Sequence, residues 1–225
     1  MKNHGSDIIR RLLYLGITVV LALSLMGCGD GDSRNIFIAE ILSDQLADGD
    51  IAHDPVLDSF TITNGPNTIF FGIDEMNRNL PEFRVFLDFP LDGSTNEDVV
   101  PLNAEILEAT LEVFIDEVSF AGTIPTLLDL VLFSITGLTP ADFDSSPLQF
   151  SNGNDATLSF DFFSSDEGFF VLIDVTSLMR QTQRLGLSDF QVRFLLDFNS
   201  DSGIVGIQDR PNIAMTAPLL TVTFR

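Results

Sequence analysis

The sequence predicts an all-β chain, an antiparallel jelly-roll-like β-sandwich with one short helix. Three observations carry this. Apolar and polar residues alternate in run after run, and clusters of Gly, Asn, Asp, Ser and Pro separate those runs. Helical spacing replaces the alternation over one stretch, Thr176–Leu185.

The chain opens on a targeting pattern. Lys2, Arg10 and Arg11 precede an apolar run from Leu12 to Met26, too short for a comfortable membrane span and suited to a signal-peptide core over residues 1–27. That run ends in Leu25-Met26-Gly27-Cys28, which resembles a bacterial lipobox. Cys28, the only cysteine, is then expected to carry diacylglycerol and to hold the protein on a membrane without spanning it. Gly29 follows the cysteine, whereas lipoproteins retained in the inner membrane usually carry Asp there. The resemblance therefore implies an outer-membrane anchor in a bacterial envelope. Residues 29–35 are polar and read as a tether, so residues 28–54 form a lipidated N-terminus, a tether and a first strand with a loop.

Processing after Gly27 removes the only Lys (Lys2) and the only Tyr (Tyr14), and no Trp occurs in the chain. Eight Arg then face 32 Asp and Glu, for a net charge near −24 with His neutral. Such a surface repels nucleic acid, so no nucleic-acid partner is expected. Without a second cysteine there is no internal disulfide. Stability must come from burial, for which 21 Phe supply the material.

The β-sandwich is expected over residues 55–225, with eight to ten strands. Phe83, Val85, Leu87 and Phe89 share one strand face, with Arg84 and Asp88 opposite; Leu111, Val113 and Ile115 alternate with Glu112 and Asp116. Leu158, Phe160 and Phe162 follow, then Phe170–Val175, Phe190 to Phe198 in steps of two, and Leu220, Val222 and Phe224. In the helix, Thr176 is the expected N-cap, with Leu178, Met179, Thr182 and Leu185 on one face and Gly186 as the stop.

Four stretches together resemble the DNRLRE-type domain of bacterial surface and secreted proteins, which is similar to some carbohydrate-binding modules. They are Glu82–Leu91 (EFRVFLDFPL), Leu102–Ile115 (LNAEILEATLEVFI), Val171–Gln181 (VLIDVTSLMRQ) and Ala217–Phe224 (APLLTVTF). The resemblance implies a jelly-roll sandwich in an envelope-attached, non-catalytic binding or structural module, with a glycan or an envelope protein as partner. Sugar-binding modules usually stack pyranose rings on Trp or Tyr; here any stacking falls to Phe.

Chemical motifs are few. Asp197, Asn199 and Asp201 place oxygen ligands at alternate positions, as a calcium loop does, although Gly203 and Gln208 stand where an EF-hand has other residues. An acidic hairpin loop accounts for the same residues, so calcium is one of two readings. Asp174 is expected to lie opposite the Val171, Ile173 and Val175 face or to bond the N–H groups that open the helix, and Arg84 and Arg193 to pair with carboxylates. His53 falls in an expected loop, no hydrolase or phosphate-loop motif is present, and no catalytic activity is expected.

Overall fold

A computed structural model describes residues 35–64, 67–95, 98–197, 202–209 and 216–225. The signal segment, Cys28, Asn199 and Asp201 lie outside these described residues. Among the described residues, twelve antiparallel strands make up a single curled sheet whose two halves face each other across a core, with one α-helix beside it. The all-β sandwich with one helix is therefore present, with more strands than the eight to ten expected. The strands are β1 (Phe37–Leu42), β2 (Gly49–Asp54), β3 (Ser59–Asn64), β4 (Asn67–Ile73), β5 (Glu82–Pro90) and β6 (Ile106–Ser119). Then come β7 (Thr123–Leu130), β8 (Thr157–Phe163), β9 (Phe170–Asp174), α1 (Thr176–Leu185), β10 (Asp189–Leu196), β11 (Gly203–Asp209) and β12 (Leu219–Phe224).

The main path through the sheet runs β1-β12-β6-β11-β4-β5-β10-β7-β8, with β9 beside β6 and the β2–β3 hairpin beside β5. Two strands make the curl. The long β6 bonds β12 along Ile106–Glu112 and β11 along Ile115–Ser119, so it belongs to both halves. In the same way β5 bonds β4 at Glu82–Phe83 and β10 from Val85 onward. β1 and β2 both lie in the compact unit, which runs Ile36–Arg225.

The alternation selects the core. Val85, Leu87 and Phe89 of β5, Leu111, Val113 and Ile115 of β6, Phe190, Val192 and Phe194 of β10, and Leu220 and Val222 of β12 point inward. Phe71, Phe86, Phe89, Phe162, Phe190 and Phe194 are fully buried. Each such ring is worth roughly 1.5–3 kcal/mol over leaving it in water. The face of β5 opposite this core is not solvated: Arg84, Phe86 and Asp88 are buried there as well. A second cluster of Ala47, Ile51, Phe86, Val131, Phe133, Leu138 and Phe143 covers that side.

The helix spans the expected residues and ends at Gly186, whose φ of 66° supplies the left-handed stop. Two details differ from expectation. Val175, not Thr176, precedes the first helical residue, and the Thr176 hydroxyl instead accepts the Ala109 N–H of β6 at 2.9 Å. The inward face is Leu178, Met179, Gln181 and Thr182, while Leu185 is exposed. His53 is also corrected: it lies in β2, with its ring stacked 4.6 Å from Phe60.

Candidate functional site

The outward face of β4, β11 and β6 carries a cleft of about 400 Å³ lined by Asp50, Thr63, Thr68, Phe70, Asp74, Met76, Phe83, Glu117, Phe120 and Ile204. Register explains its floor. Gly206 of β11 pairs with Phe70 of β4 on one side and with Glu117 of β6 on the other, so these three form one row across the sheet. Gly206 has no side chain, and a Cβ there would stand 2.9 Å from the Phe70 ring and 2.9 Å from the Thr68 methyl. The missing carbon is what lets the phenyl ring lie across the floor. Phe83 meets Phe70 edge-on, ring centres 6.3 Å apart. The remaining wall comes from the β6–β7 turn, where Phe120 adopts a positive φ of 70°. A bulky residue in that region costs on the order of 1–3 kcal/mol and tends to sit at binding sites.

The polar lining is anionic. Asp50 is buried at 1 % exposure, and one of its oxygens accepts the Phe70 N–H at 2.9 Å. Burial pushes the Asp50 carboxyl up to about 6, against the opposing effect of the Phe70 N–H and the Thr63 hydroxyl. Glu117 accepts the Ser119 hydroxyl at 2.7 Å, and Asp74 accepts the Met76 N–H at 2.9 Å. Among the described residues, no Arg lines the cleft. Three carboxylates beside phenyl faces and a thioether create a negative, partly apolar pocket, of a size that takes a small ligand.

The residues singled out from sequence lie elsewhere. Asp197 follows β10 and its N–H donates to the Pro125 carbonyl at 2.9 Å, while Asn199 and Asp201 fall outside the described residues. Asp174 accepts the Thr176 N–H at 2.9 Å, and the Thr176 hydroxyl and N–H hold its carboxyl below the usual range. Arg84 and Arg193 are paired and buried. Arg193 meets Asp129 at 2.7 Å, Arg84 meets Glu82 at 2.8 Å, and both donate to the Phe143 carbonyl, pinning the covering segment onto β5 and β10. The His53 Nε2 stands 3.4 Å from Asp58.

No protein-family model matches the chain, and no curated protein matches it. Among the described residues, no helix is long and apolar enough to cross a membrane.

Asp50, Phe70, Asp74, Glu117 and Phe120 were not singled out from sequence. Their one sequence signal is weak: Thr68 and Phe70 share a strand face with Gly72, a glycine phase that marks close approach to neighbouring groups.

Proposed function

We propose that this chain is a cell-envelope lipoprotein, attached to the bacterial outer membrane through diacylated Cys28. Its sandwich is a non-catalytic module that binds a small ligand in the β4–β11–β6 cleft. The observation that carries the binding role is the row Phe70–Gly206–Glu117 with buried Asp50 beside it: an aromatic floor, carboxylate acceptors and no compensating cation in the lining. That combination favours a ligand with a positive charge on an apolar body, held by the carboxylates and by the phenyl faces.

Calorimetric titration with tetramethylammonium, a primary amine and neutral oligosaccharides tests this. The cationic compounds are expected to bind the wild-type chain and to lose at least tenfold in affinity in Asp50→Asn and in Phe70→Ala. Asn at position 50 keeps an acceptor for the Phe70 N–H, so the fold survives that change. Binding of the oligosaccharides alone would support the second reading, a carbohydrate-binding or glycan-processing accessory protein. The phenyl faces beside hydrogen-bond acceptors favour that reading too. Binding of neither refutes the cleft as a site. The anchor has a separate check: Cys28→Ser is expected to move the protein from the detergent phase to the aqueous phase, and continued partition with membranes refutes it.

A further inference from the structure

Two edges of the sheet face one cavity, away from the cleft. Among the described residues β8 bonds only β7, and β9 bonds only β6. A cavity of about 320 Å³ is lined by residues 158–161 of β8 and 171–174 of β9. Consecutive residues of both strands take part, inward and outward phases alike, so what meets the cavity is a pair of strand edges. Every ladder on the path from β9 through β6 round to β8 is antiparallel, and this seam is where the curl stays open.

The ladders fix which backbone groups point into the seam. The Val175 N–H donates to the Ala109 carbonyl at 2.9 Å, and bonded pairs recur at every second residue. Ile173 and Val171 therefore bond β6, while Phe170, Leu172 and Asp174 turn their N–H and C=O groups to the open edge. On β8 the Leu130 N–H donates to the Ala156 carbonyl at 2.9 Å and the Ser164 N–H to the Gly122 carbonyl at 3.1 Å, so Ser159 and Asp161 are the residues that face the seam. Exposed edges are ordinarily blunted by Lys, Pro or a bulge. Neither β8 nor β9 contains Lys or Pro, and both registers are unbroken. Phe169, Phe170 and Leu172 are exposed along the β9 edge, as is Phe163 at the end of β8.

The two sides of the seam differ in chemistry. On the inward side Leu158, Phe160 and Val171 pack against the core yet stay half-buried. On the outward side stand Asp161 and Asp174, one on each rim, and among the described residues no Arg lines the cavity. Arg180, near Asp174, donates instead to the Ile106 and Leu107 carbonyls. A second copy of this strongly acidic chain would bring the same carboxylates to the same edge, and like charges oppose that pairing. We propose that the seam takes an extended segment of a partner protein in which apolar and basic residues alternate, added as a strand along β9. Its backbone completes the ladder at Phe170, Leu172 and Asp174, its apolar side chains turn in beside Leu158, Phe160 and Val171, and its cations meet Asp161 and Asp174.

Fluorescence anisotropy with the detergent-solubilised full chain tests the seam. The probe is a labelled peptide alternating Lys and Val; the controls are its Glu and Val counterpart and a Lys and Val peptide N-methylated at every second residue. The first is expected to bind, and each control to bind at least about tenfold more weakly, since one lacks the charge and the other the edge donors. Leu172→Pro removes a donor that points into the seam and no bond to β6, so it should keep the wild-type urea midpoint and lose the peptide. Asp161→Lys alters only an exposed side chain and should weaken the Lys and Val peptide by about tenfold as well. Asp50→Asn, in the cleft, should leave peptide binding unchanged. No binding, or equal binding of the N-methylated peptide, overturns the proposal. So does a loss in Asp50→Asn without one in Leu172→Pro, which places the peptide in the cleft. A wild-type dimer in sedimentation that Leu172→Pro dissolves gives the seam to a second copy and overturns it too.

Discussion

Replacing Asp209 by Asn should flatten the pH dependence of stability in the metal-free chain. Burial, and then the charge of Asp44, push the Asp209 carboxyl from 3.8 up to about 7. The folded state thus holds this proton more tightly than the unfolded state does. The resulting stabilisation is complete below about pH 4 and is lost as pH rises through 7, so stability falls with pH across that window. Each proton so held gives a slope of up to about 1.36 kcal/mol per pH unit. Over the roughly three units between the two pKa values the loss is on the order of 4 kcal/mol for this one group. For a domain of this size that slope corresponds to about 3–5 °C in Tm per pH unit. The assay is a series of calorimetric melts in EDTA from pH 4.5 to 8, on wild type and Asp209→Asn. The general relief of an acidic surface by protonation affects both proteins alike, so the difference between them isolates this site. The variant should also gain at neutral pH, because Asp48 no longer faces a second charge. Parallel curves would refute the reasoning, as would a wild-type chain that grows more stable from pH 5 to 8.

Other perturbations have larger and simpler expectations. Arg193→Met leaves Asp129 buried without its 2.7 Å partner and should cost about 3–5 kcal/mol in a urea titration; adding Asp129→Asn should recover part of it. Gly72→Ala should cost upwards of about 2 kcal/mol in the same titration, because φ is +116° and a Cβ would sit 2.2 Å from the Gly203 carbonyl oxygen. Phe194→Ala removes a ring packed on Phe71 at 5.6 Å and should cost about 3–5 kcal/mol, measured as a shift of the urea midpoint with an unchanged slope.

What was legible in the sequence follows from how strongly each strand is one-sided. β5, β6, β10 and β12 show period-two patterning because their inner residues meet the core in strict alternation. The helix was legible for a similar reason, with Gly186 marking its end. β2 (GDIAHD) and β11 (GIVGIQD) were not, since Gly and Asp are poor strand formers and their pattern is set by what they pack against. The cleft was hidden in another way. Phe70 lies on an outward phase, yet no local signal tells which outward phenyl stays open and which is covered, as Phe86 is by Phe133. Asp50 reaches the Phe70 N–H only because the fold brings β2 alongside β4. Asp209 left one readable trace, a carboxylate in the inward phase after Val205 and Ile207.

The sandwich treats its buried acids in two ways, and the arginine supply explains the division. From Cys28 onward the sequence holds eight Arg for 32 acidic residues, and two of those Arg are committed to the face of β5 and β10 under the covering segment. There the charges are closed: Asp129 has Arg193, Glu82 has Arg84, and the Phe143 carbonyl takes a donor from each arginine. Among the described residues Asp48, Asp88 and Asp209 have no such partner, and all three carboxyls are raised, mainly by burial. A core that wanted only volume at these positions is better served by Leu or Val, which bring no desolvation cost. Carboxylates retained there make the end of the sandwich responsive to pH, because a proton is the positive charge that neutralises them.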